Sequence, residues 1–119
     1  MADSILVLVT KPPYGTEDAF AGLRLALAML ASGTVGKTTV LLIGDGTLNA
    51  VASQKAEAIE MPSNVEAIQD ILDFDAPVYC VHEDLAERVG EVATIEGVKM
   101  VNWEEARSIL SEHQLVTTF

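Results

Sequence analysis

With 119 residues and half of them hydrophobic, the chain is long enough for one domain with a real core and too short for two ordinary ones. Its 7 basic and 18 acidic residues give a formal charge of -11, which argues against binding nucleic-acid backbones or anionic membranes, since both require clustered Lys and Arg. No apolar run approaches the roughly 20 residues that span a bilayer, and a lone cysteine cannot form an internal disulfide.

The chain opens on an apolar run, Ile5 to Thr10, with no basic segment before it and no small-residue cleavage site after it. It reads as a first buried strand and not as a leader, which makes the cytoplasm the expected location. Lys11-Pro12-Pro13-Tyr14-Gly15 is a loop, and Thr16 is placed to cap the next helix, with Glu17 and Asp18 in its first turn. That helix, Ala19 to Leu30, is apolar nearly all round and is expected to be covered on more than one side; Gly33 is its expected stop. Thr38 to Ile43 is the second strand, leaving through Gly44-Asp45-Gly46-Thr47 into a short helix around Leu48 to Ser53. Lys55 to Pro62 is the least regular stretch.

Pro62 and Ser63 open a helix in which Val65, Ile68, Ile71 and Leu72 keep helical spacing. Pro77 to Val81 is the third strand and carries Cys80; His82 starts a helix at once. Val98 to Val101 is a fourth strand, Asn102 caps a helix from Trp103 to Leu110, and Leu115 to Phe119 is a fifth strand. Nearly unbroken apolar strands separated by helices predict a three-layer α/β/α sandwich on a mostly parallel five-stranded sheet, one domain over residues 1–119.

Cys80 is the chemically sharpest feature. A thiol at the carboxyl end of a strand, facing a helix start, occupies the place where such folds bind and react. The positive helix end favours the nucleophilic thiolate, whereas Glu83 and Asp84 oppose it. Free cysteine also fills cores as a small hydrophobe, so an inert thiol stands as the other reading. His82 stabilises a thiolate if its ring folds back, and otherwise is a solvated helix-start residue. Cys80 and His82 are too few for a structural zinc site, and His113 lies far along the chain, so no metal or cofactor is expected.

Other motifs fall short. Gly36-Lys37-Thr38 has Ala31 where a phosphate-binding loop needs glycine, and its strand and helix come in the reverse order. A phosphorylation receiver needs acids where Thr10-Lys11 and Cys80 stand. Lys-Pro-Pro-Tyr-Gly is a poor flavin phosphate loop. Pro13 to Thr16 and Gly44 to Gly46 each read as an anion-holding strand exit or as a tight turn.

Several segments in order resemble the DsrE/DsrF-like family. These are Pro13-Tyr14-Gly15-Thr16 before a long apolar helix, and Leu42 to Ala50 with Gln54-Lys55 after it, as in TusC-like members. Val78-Tyr79-Cys80-Val81 with Leu85 to Gly90, and the terminal Leu115-Val116-Thr117-Thr118-Phe119, complete the set. The resemblance implies a sulfur-relay role in which Cys80 accepts a sulfane sulfur as a persulfide and passes it to a partner thiol. It implies a homotrimer or hexamer and a protein sulfur donor or acceptor. Lys11, Tyr14 and His82 are expected around Cys80, with Gly15 and Asp45 as further binding candidates. Two other readings remain open: a non-catalytic assembly or ligand-binding module with a structural Cys80, and a redox sensor that forms an intermolecular disulfide.

Overall fold

The computed structural model describes residues 3–14, 17–54 and 63–119. Five strands form one sheet: β1 (Ser4–Val9), β2 (Lys37–Leu42), β3 (Val78–Val81), β4 (Lys99–Val101) and β5 (Leu115–Thr118). All pairings are parallel, in the order β4-β3-β2-β1-β5. Each apolar strand feeds both faces, because successive side chains point to opposite sides. Val7, Val9, Val40, Leu42, Val78 and Cys80 face one layer; Leu6, Leu41, Val81 and Val101 face the other.

Helices α1 (Asp18–Ser32) and α2 (Asn64–Asp73) cover the first face through Ala19, Leu23, Ala26, Ala67, Ile68 and Ile71. Helix α3 (His82–Val89) follows β3 directly and adds Leu85 to that layer. Helix α4 (Trp103–Ser111) covers the second face with Ala106, Ile109 and Leu110. None of these helices is long and apolar enough to cross a membrane, among the described residues.

Local chemistry accounts for most boundaries. Gly33 ends α1 at φ +66, its N–H bonding the Met29 carbonyl. Ser63 caps α2 by accepting from the Glu66 N–H at 3.2 Å; Pro62 lies outside the described residues. Asn102 and Glu105 form a reciprocal capping box on α4. The expected Thr16 cap also lies outside the described residues, and Glu17 at the α1 start makes no side-chain cap bond.

One expectation changes. The short helix after β2 is a 3-10 helix that begins earlier, at Gly44–Ala50, and Val51 instead bridges Thr94. Its tight winding comes from the exit residues themselves: Gly44 takes φ +55, the Gly46 N–H bonds the Ile43 carbonyl, and the Thr47 hydroxyl donates to the Gly44 carbonyl. Helix α1 is buried along one stripe, Ala19, Gly22, Leu23 and Ala26, with Leu25, Leu27, Met29 and Leu30 only half-buried. The sheet and α2 both pack against α1, and Leu27 and Leu30 lie against the same core, so the helix is covered on more than one side as expected.

Gly46 sits against the carboxyl end of β1. A Cβ there would collide with the Val9 carbonyl oxygen, which already accepts from the Ile43 N–H at 3.1 Å. Gly46→Ala is expected to destabilise by about 2–4 kcal/mol, because rigid backbone must shift. Urea unfolding checks this, and an unchanged midpoint would contradict the close approach.

Candidate functional site

Because every strand runs the same way, their exits share one edge of the sheet. In open α/β folds ligands gather there, at the point where strand order reverses. Here that point lies between β1 and β5, and it is filled: the Thr10 N–H and hydroxyl both donate to the Phe119 carbonyl, at 2.7 and 2.9 Å. The chemistry-bearing residues gather instead in two neighbouring groups on the β1, β2, β3 and β4 exits.

The first group is uncharged and buried. Asn49 and Asn64 are both fully enclosed, and the Asn64 side-chain amide donates to Asn49 Oδ1 at 2.8 Å. Asn49 Nδ2 donates to the Lys11 and Gly46 carbonyls, and Asn64 Nδ2 also donates to the Pro13 carbonyl. The Tyr14 hydroxyl accepts from the Asn64 N–H at 3.4 Å, and Gln54 donates to the Asn49 and Val51 carbonyls. This network joins the β1 exit, the 3-10 helix and the α2 start. Lys11 and Tyr14 therefore serve it largely through backbone and hydroxyl, while the Lys11 side chain stays exposed. Gly15 lies outside the described residues.

The second group is charged and surrounds α3. The Asp84 carboxylate accepts from the Gly44 N–H at 2.7 Å and from the Trp103 indole at 3.0 Å. Glu83 accepts from the Trp103 N–H at 2.9 Å. Arg88 Nε pairs with Asp45 at 2.7 Å, the two side chains being 31% and 59% exposed, so the pair itself contributes little. Asp45 is thus held by Arg88, at the mouth of the group. His82 is exposed, lines a cavity with Leu85, Ala86 and Met100, and makes no side-chain hydrogen bond among the described residues.

Cys80 lies beneath this second group with 0% exposure, packed in the same core as Leu85 and Val78. Burial, and then the Asp84 charge, push its pKa from 9.0 up to about 12. The expectation that the helix start would favour a thiolate is corrected here: the thiol has lost its water, and the nearest charge has the wrong sign. His82 is exposed and matches the reading of a solvated helix-start residue. Among the described residues no three His, Cys, Asp or Glu side chains come together as a metal site.

Sequence reasoning missed Asn49, Asn64, Arg88 and Trp103 as site builders. The one available signal was an Asn placed between Leu48 and Ala50, a polar residue inside an apolar run. Removing it has a definite expectation. Asn49→Ala leaves the Lys11 and Gly46 carbonyls without their donor and is expected to cost about 2–4 kcal/mol, read from urea unfolding. A midpoint equal to the natural protein's would contradict the network. Cys80 gives a pH test. Its folded pKa lies above its unfolded one, so its stabilisation is complete below pH 9 and is lost as pH rises toward 12. The loss is about 1.4 kcal/mol per pH unit across that window. Unfolding free energies at pH 8 and pH 10.5 are expected to converge between the natural protein and Cys80→Ala as pH rises; a constant gap would contradict the buried thiol.

The sequence model of the DsrE/DsrF-like family matches residues 3–82. The uncharacterized protein MJ0989 of Methanocaldococcus jannaschii is 29% identical over 114 residues, 95% of this chain and 96% of that protein. The uncharacterized protein MK0008 of Methanopyrus kandleri is 32% identical over 108 residues, 85% and 86% of the two chains. Among solved structures, the ychN protein from E. coli superposes with a TM-score of 0.89 at 22% identity, covering 98% of this chain and 99% of that one. The conserved protein of unknown function BT1422 from Bacteroides thetaiotaomicron superposes at 0.67 with 15% identity, over 98% and 95%. At those identities the two structures speak for the fold. With the family match over residues 3–82, the chain belongs to the DsrE/DsrF-like family.

Proposed function

We propose that this protein is a sulfur relay that carries sulfane sulfur on Cys80. Family membership suggests a sulfur-relay-type role. The observation that carries the finer reading is the position of the chain's single cysteine, in β3 two residues before α3, near the shared edge of strand exits. In the step, the Cys80 thiolate attacks the outer sulfur of a donor persulfide, R–S–SH. The new bond joins Cys80 Sγ to that sulfur, the donor S–S bond breaks, and R–S⁻ leaves. Cys80 then holds S–SH, and an acceptor thiolate repeats the displacement. No net oxidation occurs, and no cofactor or metal takes part.

The closed site sets a condition on this chemistry. With its pKa pushed up to about 12, the resting thiol is protonated at pH 7. Loading therefore takes place when the sulfur is exposed to its donor. Lys11, Tyr14, Asp45 and His82 would form the rim that a donor or acceptor protein meets; Gly15 lies outside the described residues. The protein works as a cytoplasmic homo-oligomer, a trimer or hexamer, and the half-buried apolar side of α1 supports that reading.

A second reading is favoured by one fact, the complete burial of Cys80. Under it the thiol is packing, and the chain is an assembly or ligand-binding module. Intact mass after incubation with a small persulfide donor separates the two, beside Cys80→Ser. The relay predicts a gain of one sulfur atom, absent in the variant and removed by reductant. No gain, with Cys80 also refusing alkylation in the native state, overturns the relay in favour of the module.

A further inference from the structure

Helix α3, like α4 with its single buried Ala106, is held with little buried apolar surface. It buries one side chain, Leu85, where α1 and α2 each bury four residues. The rest of its attachment is polar: Asp84 to Gly44 and Trp103, Glu83 to the Trp103 N–H, and Arg88 to Asp45. Few buried apolar contacts and partly exposed hydrogen bonds are the features of an element that opens below the global unfolding free energy. Its far end is Gly90, at φ +68, with open space around the position of a Cβ. A cavity of about 280 Å³ lies along its flank, lined by His82, Leu85, Ala86, Gly90, Val92 and Met100. Met100 is the register partner of Cys80 on the adjacent strand. Leu85 belongs to the same packed cluster as the thiol and also lines that cavity.

We infer that Asp84 is a latch: while its carboxylate holds Gly44 and Trp103, α3 stays closed over Cys80, and when those bonds release, α3 swings on Val81 and Gly90 and joins the cavity to the thiol. Its meaning for sulfur transfer rests on the relay reading above, but the opening itself does not. Asp84 is thus a positioning residue. It touches no reacting atom, and it decides when Cys80 meets a donor. A partner that offers its own donors to the carboxylate competes directly with Gly44 and Trp103.

The test uses alkylation of native Cys80 by iodoacetamide, followed by intact mass, with amide hydrogen exchange read peptide by peptide. Trp103→Phe removes the indole donor without changing any charge. It is expected to speed labelling about tenfold, the scale of one hydrogen bond to a charged group. Amides of residues 82–89 are expected to exchange faster, while those of β1 and β2 are unchanged. Asp84→Asn keeps the test alive if the first variant does not fold, with the same exchange pattern expected. Asp84→Asn also removes a charge that disfavours the thiolate, so the pair decides the cause. Faster labelling in Asp84→Asn alone, with Trp103→Phe folded and unchanged, overturns the latch. So does faster exchange in α3 with no gain in labelling. Persulfide loading is read separately. Variants that open but take up no sulfur, like a natural protein that takes up none, leave the latch standing and remove the relay. A natural protein that loads, with variants that never open, does the reverse.

Discussion

The carboxylate of Asp84 ties together three pieces of chain that are distant in sequence. It sits on α3, bonds the Gly44 N–H at the β2 exit, and bonds the indole of Trp103 at the start of α4. The sheet brings these points near one another because β2, β3 and β4 are adjacent and run the same way. The same charge acts on Cys80, raising the pKa that burial has already raised. One group therefore both ties α3 to its neighbours and adds to the rise in thiol pKa that burial causes. The two effects have a common direction, toward a resting state in which Cys80 does nothing.

The sheet edge is built in two ways, and the difference in chemistry implies a difference in stiffness. Asn49, Asn64 and Gln54 form an uncharged network inside the protein, where a lost bond leaves an enclosed polar group unpaired. That side, with the β1 exit and the α2 start, is costly to disturb. Around α3 the bonds are charged; the Arg88–Asp45 pair is partly open to water, where solvent replaces a broken partner at small cost, and the Asp84 bonds are part-buried. The edge is thus rigid at β1 and yielding at β3, and the cysteine lies on the yielding side.

The elements that were legible in the sequence are those set by local rules. Ile5 to Thr10, Thr38 to Ile43 and Pro77 to Val81 show as strands because both faces of a parallel sheet are covered. Gly33 and Asn102 mark helix ends through chemistry that needs only near neighbours. The family was legible because its segments occur in order along the chain, and it brought the sheet with it. What was hidden depends on distance. Asn49 meets Asn64 across 15 residues, and Asp84 meets Gly44 across 40. The thiol's state was hidden for the same reason. A helix start is visible locally, whereas the depth of Cys80 depends on Leu85 and on the strands beside it. Helix α1 shows the converse: composition states that it is apolar nearly all round, and the packing of the sheet and α2 decides which of its side chains are enclosed.

The central claim is that the resting thiol is closed and protonated, and its ionisation measures that directly. The protein labelled with carbon-13 at the cysteine Cβ reports one signal, because Cys80 is its single cysteine. Followed by NMR from pH 6 to pH 10.5, that signal is expected to stay at its thiol position, since burial and Asp84 place the pKa at about 12. A titration centred at neutral pH would contradict the account, and would mean an open, activated thiol in the resting protein.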